Sequence, residues 1–155
     1  MSIVEKEEWE KLWIAKINGW TLSVAANQHV LGWLIIFPPR EIEESLVHLT
    51  DEELSTFKKI GLLAEDLLKE CFQAEWFNYC QQGNNVKRIH IHLQPRYSSE
   101  RVFEGHTFTD AGWGRTIRFI QDPDLAQKEI VFKLVDKFKQ SLRSKQFTDL
   151  QVEIL

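Results

Sequence analysis

Residues 86–97 read VKRIHIHLQPRY, and the alternation inside that stretch decides the fold. Side chains two apart share one face of a β-strand, so Arg88, His90, His92 and Gln94 line one surface while Ile89, Ile91 and Leu93 enter a core. The strand is predicted over residues 86–93, with Pro95 as its stop because proline brings no donor to a ladder. Polar residues on an open face of an antiparallel sheet are ordinary. Two imidazoles beside a guanidinium and an amide are less so, because β-branched and aromatic side chains are the usual occupants of a pleated surface. Imidazole changes charge near neutrality and serves as nucleophile, acid, base or metal ligand, which makes this face a candidate site.

Upstream, residues 76–80 (WFNYC) form another strand, separated from the first by QQGNN, whose Gly and Asn accept unusual backbone angles. Residues 12–17 and 20–26 flank Asn18-Gly19, a dipeptide suited to a tight hairpin, and should pair. Residues 33–37 (WLIIF) make a further strand that Pro38-Pro39 must end. Thr50 and Glu53 are spaced as a capping box, with Leu49 and Leu54 as its hydrophobic staple. Leu54, Phe57, Ile60, Ala64, Leu67 and Cys71 then recur at helical spacing to about Gln73. Downstream, residues 97–121 are rich in Gly, Ser and aromatic side chains, with one short strand expected at 116–120. Asp122-Pro123 opens a second amphipathic helix, expected over 122–145 and packed through Val131, Leu134, Val135, Phe138 and Leu142. The expected fold is α+β: an antiparallel sheet of about five strands with two main helices on one side.

A chain of 155 residues, 43% hydrophobic, holds one core, so residues 1–155 are read as a single domain. Its net charge of −4 argues against broad nucleic-acid binding. Lys87, Arg88, Arg96, Arg101, Arg115 and Arg118 nevertheless cluster in the second half, which suits an anionic small molecule. Cys71 and Cys80 have no metal-type spacing and are expected to stay reduced. The first residues lack the basic-then-apolar order of a signal peptide, and no apolar run approaches the roughly 20 residues of a membrane span, so a soluble cytoplasmic protein with no membrane partner is expected.

Taken together, Asn27 with LGWLIIFPPR, HLTDEEL before the long helix, Asn78 ahead of Gly83-Asn84, HIHLQPRY and EGHTFTDAGWG resemble the histidine-triad (HIT) family over residues 12–115. The resemblance implies a HIT-like fold and a nucleotide hydrolase or nucleotidyl transferase that needs no cofactor or metal. A neutral imidazole would attack the α-phosphorus of a dinucleoside polyphosphate or nucleoside phosphoramidate, giving a nucleotidyl-histidine that water or another acceptor resolves. Two registers fit. Aligning Pro95-Arg96-Tyr97 with the tripeptide that follows many bacterial triads puts Arg88 in the first triad position, His90 in the centre as nucleophile and His92 third. Reading His90-x-His92-x-Gln94 as the family's His-x-His-x-Gln variant makes His92 the nucleophile. The tripeptide favours the first.

The family also places amide groups around ribose and phosphate, which by resemblance are Asn27, Asn78, Asn84 and Asn85, and its members generally form homodimers. Arg88, as a permanent cation among anion-binding groups, is expected to lower the pKa of a nearby His. His29 and His48 are assigned no role. His106 is read as a residue that could fold back over the site, and Trp113 as a lid, a dimer contact or a core residue. Two other readings stand beside the enzyme: a catalytically weak nucleotide-binding or regulatory protein with a degenerate triad, and a metal pair of His90 and His92 completed by His106 or a carboxylate.

Overall fold

The computed structural model describes residues 6–41, 44–83, 86–115 and 127–155. A 3-10 helix over Lys6–Leu12 leads into the hairpin β1 (Trp13–Ile17) and β2 (Trp20–Val24). Its turn sits on Asn18 and Gly19 with φ of 48° and 82°, the doubly left-handed geometry that Asn-Gly predicts. Next come β3 (Leu34–Phe37) and helix α1 (Asp51–Phe72). The capping box is present in full: Glu53 N–H donates to Thr50 Oγ1 at 3.2 Å, and Thr50 N–H donates to Glu53 Oε2 at 2.8 Å. Leu49 is buried, but Leu54 stays exposed, so the apolar stripe of α1 begins effectively at Phe57.

Strands β4 (Trp76–Gln81) and β5 (Ile91–Arg96) follow, then the small hairpin β6 (Arg101–Phe103) and β7 (His106–Phe108), helix α2 (Gln127–Arg143) and β8 (Val152–Ile154). The main sheet has six strands in the order β4-β5-β3-β2-β1-β8, each pair antiparallel. Helices α1 and α2 close one core with it, through Ile60, Ala64, Leu67 and Leu68 of the first and Val131, Leu134, Phe138 and Leu142 of the second. Both free thiols are half-buried. Among the described residues no helix is long and apolar enough to cross a membrane.

The expected α+β fold, an antiparallel sheet with two main helices, is the one observed, and it differs from expectation in detail. The ladder of β5 begins at Ile91, not at residue 86, because its neighbours stop there: β3 pairs no further than Ile36↔Ile91 and β4 no further than Gln81↔Ile91. Pro95 lies within the strand and does not end it. Beyond Leu93 only β4 flanks β5, so a residue without an N–H is tolerated on the open side. The main sheet gains a sixth strand, β8, three C-terminal residues that pair with β1 at Ala15↔Ile154, and the segment after Tyr97 holds the unforeseen β6-β7 hairpin. That hairpin turns on Glu104 and Gly105, both at positive φ. The strand expected at 116–120 and the Asp122-Pro123 cap lie outside the described residues.

Candidate active site

Register brings the site together. Trp13, Ser23, Ile35, His92 and Cys80 are successive cross-strand partners on β1, β2, β3, β5 and β4. Their row faces away from the core, because the alternate row of Leu22, Ile36 and Ile91 is buried in it. Residues preceding Ile91 keep this alternation without a ladder: Ile89 is buried and His90 half-buried on the opposite side. The outer face holds a cavity of about 390 Å³ whose wall includes Trp9, Trp13, Phe37, Arg88, His90 and His92, with Thr21 and Ser23 on its floor. Arg88, His90 and His92 are therefore gathered as predicted.

The ring of His90 is held by a bond to its own chain. Its Nδ1 lies 2.9 Å from the carbonyl oxygen of Arg88, and a carbonyl can only accept, so Nδ1 carries the hydrogen. In the neutral ring the lone pair then sits on Nε2, the nitrogen free to attack an electrophile. The two imidazoles meet edge to face with centroids 5.0 Å apart. Burial, with a smaller contribution from His90, pushes the pKa of His92 down to about 4. The Arg88 guanidinium is not among the causes, contrary to expectation, and its Nη1 is spent on Glu41 Oε1 at 2.9 Å.

Aromatic rings frame both histidines. Phe37 stacks on His90 at 6.2 Å, Trp33 stands 5.4 Å from His92, and His29, which the sequence reading passed over, stands 5.9 Å from Trp33. Of the cavity's lining, Trp9, Trp13 and Phe37 offer surface suited to a flat apolar group, and the imidazoles and Arg88 offer polar groups suited to an anion. Trp9, Trp13 and Phe37 were missed because isolated aromatics in a sequence carry no period that separates a cavity wall from a core.

The other predicted groups lie elsewhere. Gln94 shares the outer face of β5 but is 2% exposed, and its cross-strand partner is Asn78. Among the described residues its Nε2 has no hydrogen-bond partner, and neither does the buried Oδ1 of Asn27. Asn78 does not reach the His cavity, because its Oδ1 accepts from Arg96 Nη1 at 2.7 Å. It lines instead a second cavity of about 460 Å³ with Glu75, Trp76, Arg96, Trp113 and Arg115. Trp113, 43% exposed, is not a core residue. Asn84 and Asn85 lie outside the described residues. His106 sits in β7, exposed and turned to Glu104 O at 3.1 Å, and is not part of the His cavity wall. Among the described residues no group of three or more His, Cys, Asp or Glu is placed to hold a metal ion.

Arg118 lies outside the described residues, and among those described Arg96 and Arg101 are engaged by the protein's own groups. Arg96 forms a buried two-point pair with Asp110, Nε to Oδ2 at 2.6 Å and Nη2 to Oδ1 at 3.0 Å. Arg101 donates to the carbonyls of Phe72 and Gln73, closing the C-terminal end of α1, and lies over the Tyr97 ring at 4.7 Å. Tyr97 in turn donates its hydroxyl to Leu31 O at 2.7 Å. The Pro-Arg-Tyr tripeptide is thus structural: it ties β5 to the segment carrying Asp110 and to the loop before β3.

No family sequence model matches the chain, and no curated protein matches it. Solved structures do. A histidine triad (HIT) protein from Sinorhizobium meliloti superposes with a TM-score of 0.65 at 18% identity, covering 88% of this chain and 95% of its own. The chain has the histidine-triad fold. A zinc-bound histidine triad family protein from Mycobacterium smegmatis gives a TM-score of 0.58 at 17% identity, covering 87% and 88%. A protein from Sulfolobus tokodaii described as a hypothetical histidine triad nucleotide-binding protein gives 0.57 at 12%, covering 95% and 91%.

Proposed function

We propose that this chain is a nucleotide-binding hydrolase or nucleotidyl transferase that uses His90 as nucleophile. The observation that carries the reading is the 2.9 Å contact from His90 Nδ1 to Arg88 O, which leaves Nε2 with its lone pair at an aromatic-walled cavity. Nε2 attacks the α-phosphorus, a phosphorus–nitrogen bond forms, and the bond to the leaving oxygen or nitrogen breaks with its electron pair on the leaving group. A leaving nitrogen departs as the amine after taking a proton from solvent; water or another acceptor then attacks the same phosphorus, the phosphorus–Nε2 bond breaks with its electron pair returning to Nε2, and the acceptor's proton passes to solvent. His92, neutral across physiological pH, contributes a hydrogen bond to the phosphoryl group and no charge. Dinucleoside polyphosphates and nucleoside phosphoramidates both fit this chemistry. A neighbour on the same fold described as a hypothetical histidine triad nucleotide-binding protein supports the reading. Asn27, Asn84 and Asn85 are retained as candidate groups around ribose and phosphate, Gln94 as a candidate group of the catalytic strand, and a cytoplasmic homodimer as the working form.

A turnover panel of adenosine phosphoramidate, diadenosine polyphosphates and nucleotide sugars, run on the native chain beside His90→Ala and His92→Ala, tests the assignment. Turnover of at least one class, lost with His90, supports it. Equal residual activity in both variants contradicts it.

One observation favours a second reading. Arginine replaces the first triad histidine, and its charge is engaged by Glu41. A protein that binds nucleotide with no turnover of any panel member would fit that reading.

A further inference from the structure

Arg88 occupies the cavity without a committed partner inside it. Its guanidinium lies over the Phe37 ring at 5.6 Å, the same ring that stacks on His90 at 6.2 Å, so the cation and the nucleophile flank one aromatic side chain. Its Nε is buried and has no hydrogen-bond partner among the described residues. It pairs with Glu41, whose side chain is 81% exposed. An exposed carboxylate holds a cation weakly, because water and salt screen the pair and ordering two long side chains costs entropy. A phosphate is a better partner, since a guanidinium presents two parallel N–H donors that match two of its oxygens.

We propose that Arg88 binds a second phosphate group of the nucleotide, and that Glu41 holds the guanidinium in position and yields it to that group. This rests on the nucleotide reading above and narrows it: the preferred ligands carry at least one phosphate besides the one at His90. The arrangement separates the two parts of one residue. The Arg88 carbonyl orients the nucleophile, and the Arg88 side chain selects charge, so a side-chain substitution removes selection while keeping the His90 tautomer.

Equilibrium binding by calorimetry tests this without needing turnover. The probes are AMP, ADP and adenosine 3′,5′-bisphosphate, which place the second phosphate nowhere, on the chain or on the sugar. The native chain should bind at least one of the two bisphosphorylated probes about tenfold more tightly than AMP. Arg88→Gln should bring that ratio near one, and Arg88→Lys should restore part of it. Glu41→Gln should tighten the favoured bisphosphorylated probe by up to about fivefold without changing AMP. Binding of AMP with no preference for a second phosphate, or a preference that survives in Arg88→Gln, overturns the proposal and leaves the nucleotide reading standing. Failure of all three probes overturns both.

Discussion

The Nδ1 atom of His90 stands 2.9 Å from the carbonyl oxygen of Arg88, two residues earlier in the same strand approach. That contact fixes a tautomer, and the tautomer is measurable. Nitrogen-15 NMR of the native chain near pH 7.5 should show His90 with a protonated Nδ1 and an unprotonated Nε2. Because the acceptor is backbone, Arg88→Gln should leave the pattern unchanged. Protonation on Nε2 would contradict the assignment of the nucleophile.

His92 makes stability depend on pH in a definite direction. Its folded pKa is about 4, below the ordinary histidine value, so between the two the unfolded chain binds a proton that the folded chain does not. This term is absent above about pH 6.5 and destabilises progressively as pH falls toward 4. Its full size is at most about 3 kcal/mol, reduced by the solvent that reaches the ring. Denaturant titrations at pH 7.5 and 4.5 should show a smaller pH loss in His92→Asn than in the native chain. Identical losses would show that the ring is not depressed.

The Asp110 side chain is 2% exposed and accepts from Arg96 at two atoms, from Tyr97 N–H at 3.3 Å and from Gly112 N–H at 3.1 Å. Asp110→Ala strands a buried guanidinium and should cost about 3–5 kcal/mol in urea unfolding. A loss under about 1 kcal/mol would mean that the pair does not anchor the segment after β5.

Gly32 has φ of +85°, and an added Cβ would meet Leu68 Cδ2 at 2.8 Å. Gly32→Ala should therefore destabilise by more than about 1 kcal/mol, from backbone strain and a displaced core side chain together. Unchanged thermal stability would contradict the close approach of this loop to α1.

How much of this was legible in the sequence follows from how local each signal is. The Asn18-Gly19 turn and the Thr50-Glu53 box act within four residues, and both stand as read. The alternation of Ile89, Ile91 and Leu93 against His90 and His92 was equally plain, because one buried face constrains every second side chain. Strand ends were not, since the start of β5 depends on where β3 and β4 stop. Long-range partners were least legible. Gln28 was passed over, yet it is fully buried and its amide donates to Ala25 O and Trp33 O and accepts from Gly32 N and Trp33 N, shaping the loop that carries Asn27 and His29. The Arg96-Asp110 pair joins positions whose separation follows no helical or strand period. Asn78 is on the expected strand and face, but the neighbouring arginine claims its oxygen.

The most direct test of the central claim is to quench a reaction with labelled nucleotide substrate and locate the nucleotidyl group by peptide mass spectrometry. The account predicts an acid-labile adduct on His90, and a loss of at least about 100-fold in turnover for His90→Ala with nucleotide affinity retained. An adduct on His92, or a His90→Ala variant as active as the native chain, would contradict it.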